Sequence, residues 1–118
     1  MSILENNKLI ADFMSIEVHV FQWNDRQSLV LGSRDDFNFR YMQHYEPDKD
    51  WNILMSVVEK IENFNDGDTL CIIEDERCHI NTQNGFEIDS VGHTKIEATY
   101  NGVVEFIKWY NSNKDNNG

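Results

Sequence analysis

KIEATYNGVVEFIKWYN, Lys95 to Asn111, is the stretch on which the fold turns. Ile96, Tyr100, Val103, Ile107 and Tyr110 recur at intervals of four, three, four and three, the period of one helix face. Thr94 is placed to cap that helix, with Glu97 three residues on to complete a reciprocal capping box. Phe106 and Trp109 widen the apolar stripe, and Glu97 and Glu105 balance Lys95 and Lys108. A face this broad belongs in a core, so the stretch is expected to be the beam of the fold rather than an exposed recognition helix.

Upstream, Trp51, Leu54, Val58 and Ile61 mark a second helix, with Asp48 or Asp50 as its N-cap just beyond Pro47. Asn65 to Asp68 ends it. TLCIIEDERCHIN then reads as a hairpin turning at Glu74 to Glu76, and a short strand follows at Phe86 to Ile88. At the other end, Leu9, Ile10, Phe13 and Met14 belong to a short helix over Ile3 to Met14. Ile16, Val18 and Val20 alternate with Glu17, His19 and Phe21 as a half-buried strand. Asn24 and Asp25 turn the chain into a strand at Leu29 to Leu31, which Gly32 and Ser33 break, and Phe37, Phe39 and Tyr41 predict a third. The expected fold class is therefore α+β: one antiparallel sheet of four to five strands packed against two long helices, with a short N-terminal helix. Residues 1–111 form a single domain in this reading, and residues 112–118 a flexible tail.

A chain of 118 residues with 40% apolar and 12% aromatic content can bury a core as one unit. Ten basic against 21 acidic residues give a net charge of −11. The excess concentrates between Glu46 and Glu76, where ten acids face only Lys49 and Lys60. Direct binding of nucleic acid needs clustered Lys and Arg to neutralise phosphates, and no such cluster exists. MSILENNKLI does not open with basic residues before an apolar run, and no run approaches the ~20 residues of a membrane span. The expectation is a cytoplasmic protein without membrane contact. Two cysteines, Cys71 and Cys78, make no disulfide framework.

No catalytic or metal site is expected, and no cofactor. The serines lie outside any Gly-x-Ser-x-Gly elbow, and no phosphate loop or His-Glu-x-x-His pair occurs. His19, His44, His79 and His93 fall on separate segments. If the hairpin turns tightly at Glu74 and Asp75, Cys71 faces Cys78 while His79 points to the opposite face, leaving two ligands where structural zinc takes four. Cys71, Ile73, Cys78 and Ile80 are then core residues on one face. NFNDGDT lacks the spacing and terminal Glu of a calcium loop.

Two strings, DWNILMSVVEKIENF and KIEATYNGVVEFIKWYN, resemble a pattern in small accessory proteins of bacteriophages, prophages and related mobile elements. NNKLIADFM and the approach from Tyr45 to Trp51 are similar as well. The resemblance spans about half the chain; it departs at Ser56, where the pattern would place Pro, and is poor from Glu17 to Arg40. It implies a phage-type setting rather than a reaction.

Charge and resemblance together lead to an expected function: a non-enzymatic protein that inhibits a host nucleic-acid-handling protein through its basic groove, as anti-CRISPR and other anti-defence proteins do. An RNA-guided nuclease has such a groove. Asp66, Asp68, Glu74, Asp75 and Glu76 would supply the negative surface, and Phe39, Arg40 and Tyr45 the anchors. The plainer alternative is a solvated acidic face. Other readings are a nucleotide-signal sponge with a pocket of Trp23, Arg40, His44 and Tyr45, and a virion or assembly component.

Overall fold

The computed structural model describes residues 2–32, 43–63, 69–82 and 86–117, with the side chains of Trp23 and residues 113–117 left aside. Helix α1 (Ile3–Phe13) starts at Ser2, whose Oγ accepts the Glu5 N–H at 3.2 Å, satisfying one of the amides a helix start leaves without a partner. It ends at Met14, and Ser15 takes the left-handed φ of 58° that reverses the chain. Strands β1 (Val18–Trp23) and β2 (Arg26–Leu31) then pair antiparallel around the two-residue turn Asn24–Asp25. Asn24 has φ 53°, a conformation that Asn tolerates better than most residues.

Beyond β2 the backbone of Gln43 to Tyr45 returns alongside it: Gln43 O accepts from Leu31 N–H, and Tyr45 N–H donates to Leu29 O. The strand expected at Phe37 to Tyr41 lies outside the described residues. Helix α2 (Trp51–Glu62) is capped by Asp50, which accepts from the N–H groups of Asn52 and Ile53. Its buried stripe is Leu54, Val57, Val58 and Ile61, while Trp51, expected in that stripe, is exposed. Strands β3 (Leu70–Ile73), β4 (Arg77–Asn81) and β5 (Glu87–Val91) form a second antiparallel sheet in that order.

Helix α3 (Lys95–Asn117) is the beam. Thr94 Oγ1 accepts the Glu97 N–H at 3.2 Å, the N-cap expected of it. Ala98, Tyr100, Val103, Val104, Phe106 and Ile107 are buried. Each large apolar side chain among them contributes about 1.5–3 kcal/mol by leaving water. One flank of α3 lies on β4 and β5, and others meet α1 and α2. Phe106 and Tyr110 meet Phe13 of α1 edge-on, with ring centroids 6.4 and 5.8 Å apart, and Trp109 stacks on Phe86 at 4.4 Å. Lys60 of α2 donates to the Phe13 carbonyl and sits 4.7 Å over its ring, tying α2 to the end of α1.

The α+β class holds, but the expected single sheet does not. The described strands form two sheets, of two and three strands. The reason is packing: β2 buries Leu29 and Val30 and packs on α1, whereas β4 and β5 pack on α3, so the sheets meet different helices. Nor are there two long helices. α3 has 23 residues, while α2 has 12, close to the 11 of α1. The β1–β2 ribbon is also less inward-facing than its alternation suggested, since Val20 is exposed. At the far end α3 continues to Asn117, across residues 112–117 that were expected to form a tail.

Candidate functional site

The β3–β4 connection carries three acids in succession, Glu74, Asp75 and Glu76, all exposed. Backbone bonds hold both shoulders of this tip. Glu74 N–H donates to Arg77 O at 2.8 Å, and Gly92 N–H donates to Glu76 O at 3.1 Å, anchoring the tip to the chain leaving β5. Gly92 is needed there: a β-carbon on it would lie 2.6 Å from the Ala98 amide nitrogen. Lys95, the first residue of α3, brings its ammonium to 3.6 Å from the Asp75 carboxylate, yet the Asp75 side chain stays 97% exposed. Such a water-exposed pair contributes little and leaves the tip net negative. The local chemistry is therefore a small negative knob on a fixed backbone.

The position of the turn shifts the hairpin register from the expected one. Cys71 stands opposite Ile80 and Ile73 opposite Cys78, so the cysteines are diagonal neighbours rather than partners. A tight turn at Glu74 and Asp75 would have paired them; the turn instead sits one residue further along, at Asp75 and Glu76 inside the Glu74–Arg77 bond, so the partner of Cys71 moves from Cys78 to Ile80. All four side chains still share one face, with Cys78 and Ile80 buried and Cys71 and Ile73 half-buried. Burial pushes the Cys71 thiol up to about 12, reinforced by the Glu62 carboxylate and by Cys78. Burial and Asp89 raise Cys78 to about 11. Neither is an activated thiolate.

Of the other residues expected at the site, Asp66, Asp68, Phe39 and Arg40 lie outside the described residues. Tyr45 is only 2% exposed, and its ring packs in the core. Burial raises its hydroxyl to about 12, and its Oη has no hydrogen-bond partner among the described residues. Tyr45 lines a cavity of about 230 Å³ with Asn7, Ser28 and Asp48, whereas His44 lines a separate one of about 380 Å³ with Asp50 and Trp51. Of the pocket expected around Trp23, Arg40, His44 and Tyr45, Arg40 and the Trp23 side chain lie outside the described residues.

The histidines do not converge. His19 Nδ1 lies 2.8 Å from Gly32 O, His79 Nε2 lies 2.9 Å from Asn81 Oδ1, and His44 is 3.8 Å from Glu46. Among the described residues no three His, Cys, Asp or Glu side chains gather as a metal site. No described helix is long and apolar enough to cross a membrane.

One polar group in the core had no sequence signal. Asn7 is buried, and it joins two distant segments: its Nδ2 donates to Asp48 Oδ1 at 3.0 Å and its Oδ1 accepts from Tyr100 Oη at 2.8 Å. Burial, then the Asp48 carboxylate, raises the Tyr100 hydroxyl above its ordinary value. The partners lie 41 and 93 residues away, beyond any spacing rule. No protein-family model matches this chain, and no curated protein or solved structure does.

Proposed function

We propose that this protein works by binding rather than catalysis, presenting its acidic hairpin tip to a positively charged groove of a nucleic-acid-handling host protein. It would block that groove in the host cytoplasm, as phage-type anti-CRISPR and other anti-defence inhibitors do. The observation that supports this reading most is the pinned backbone beneath Glu74, Asp75 and Glu76. Carboxylates held on a fixed loop lose little entropy when a partner engages them, and their field speeds encounter with a basic surface. The chain's net charge of −11 acts in the same direction. The test is capture from host lysate by the tagged chain and by a Glu74→Lys, Asp75→Lys, Glu76→Lys variant. Loss of a specific basic partner with the variant, and its release from the native chain by heparin, are expected. Equal capture by both chains contradicts the proposal.

A second reading rests on Tyr45, whose buried hydroxyl has no hydrogen-bond partner among the described residues, and which lines the 230 Å³ cavity. A small ligand or a buried water would complete it. Thermal-shift screening with nucleotide signals separates the readings, because a ligand that binds only the folded state raises the melting temperature with its concentration.

A further inference from the structure

We infer that the outer edge of β5 is a docking groove for an extended, basic segment of a partner protein, which joins the three-stranded sheet as a fourth strand. The inference concerns a surface other than the acidic tip and stands independently of it.

The backbone register supplies the first argument. Gly92 N–H bonds to Glu76 O and Thr82 N–H bonds to Phe86 O, so the even-numbered residues along β5 turn their polar groups toward β4. The N–H and C=O groups of Glu87 and Asp89 therefore face away from it. Among the described residues no strand lies on that side. Asn101 Nδ2 takes the Val91 carbonyl at 3.1 Å and closes one end of the edge. Among the described residues this leaves the N–H and C=O groups of Glu87 and Asp89, and the Val91 N–H, for an added strand.

Shape is the second argument. A cavity of about 520 Å³ runs between β5 and α3. The buried residues Ile88 and Val104 line its base, and Asn101, Glu105 and Lys108 of α3 form the far wall. An added strand would face this wall with every second side chain and the solvent side of the sheet with the rest.

Charge selects the occupant. Glu105 and Lys108 flank the edge on the α3 side, while the exposed side chains of Glu87 and Asp89 flank it on the opposite face of the strand, with Arg77 3.5 Å from Asp89 in an exposed pair. A second copy is a poor fit: antiparallel pairing of two β5 edges centred on Asp89 sets Asp89 against its own mate, and centring on Ile88 sets Glu87 against Asp89. Like charges opposite each other destabilise a strand pair. A segment with Lys or Arg at alternate positions, about 6.6 Å apart along a strand, would place them beside Glu87 and Asp89.

The experiment uses the full chain and a synthetic peptide alternating Lys and Val, with binding followed by fluorescence anisotropy. Two further peptides carry backbone N-methyl groups, one at the odd positions and one at the even, and a fourth replaces Lys by Glu. Strand addition predicts that only one N-methylated peptide loses affinity, by about tenfold or more, equivalent to about 1.4 kcal/mol. The Glu peptide should not bind, and Glu87→Lys with Asp89→Lys should reverse the preference. Amide shifts on the native chain should centre on Glu87 and Asp89. Equal binding by both N-methylated peptides, indifference to charge, or no saturable binding overturns the inference. So do shifts confined to Glu74–Glu76, an outcome that leaves the acidic-tip reading standing, and a self-associated chain with the Glu87 and Asp89 amides already protected. Should the double variant fail to fold, the N-methylated pair decides on the native chain.

Discussion

The thiol of Cys78 rests against the bare backbone of Gly102, so close that a β-carbon on the glycine would lie 3.0 Å from Sγ and 3.3 Å from Cβ of Cys78. A glycine in the middle of α3 costs about 1 kcal/mol relative to alanine, and here it lets the helix settle onto β4. Gly102→Ala is therefore expected to destabilise by about 1–3 kcal/mol through overpacking despite the better helix former. In urea denaturation, Cys78→Ala should relieve part of that loss, giving a double-mutant coupling of about 0.5 kcal/mol or more. A neutral or stabilising Gly102→Ala contradicts the close packing.

The buried Asn7 bridge predicts a graded series. Tyr100→Phe removes one partner and should cost about 1 kcal/mol. Asn7→Leu leaves the Tyr100 hydroxyl only its longer contact with Ile3 O at 3.4 Å and takes the donor from the half-buried Asp48 carboxylate, and should cost about 2–3 kcal/mol. Chemical denaturation that ranks the two in the opposite order removes Asn7 from its place as the link between α1, α3 and the approach to α2.

Ser15 holds a left-handed φ of 58° without being glycine. Ser15→Gly should raise stability by about 0.5–1 kcal/mol, since it relieves the strain of a β-carbon in that conformation. An unchanged or lower urea midpoint would show that the serine side chain compensates.

Much of this architecture was legible along the chain. The caps at Asp50 and Thr94 and the apolar period of α3 are local signals, and the structure keeps them. The β3–β4 hairpin was readable too, with its turn one residue further along than expected. What could not be read is non-local: the division into two sheets depends on which helix each strand packs against, and the Asn7 bridge on segments far apart in sequence. Gly102 was inconspicuous because a mid-helix glycine has meaning only beside the side chain that fills its space. At the candidate site, the exposure of Glu74 to Glu76 followed from their position in a turn, whereas an aromatic such as Tyr45 suits a core as well as an interface, and only packing decides.

Alkaline pH should unfold the protein earlier than its carboxylates alone would suggest. Cys71 and Cys78 rise from 9.0 to about 12 and about 11, and Tyr45 from 10.0 to about 12. Each raised group stays protonated in the folded chain while the unfolded chain releases its proton. Their contribution is complete below the unfolded values of 9.0 and 10.0 and is lost as pH climbs toward the folded ones. Urea midpoints should fall steadily above pH 9.0, and Cys71→Ala should reduce the slope. A flat profile there contradicts the burial of these groups.

The acidic tip faces its most direct test in hydrogen exchange on the complex captured from host lysate. Residues 74–77 and Gly92 should exchange more slowly in the complex than in the free chain. A stable complex in which those amides exchange at their free rate, with protection elsewhere, contradicts the tip as the partner-binding surface.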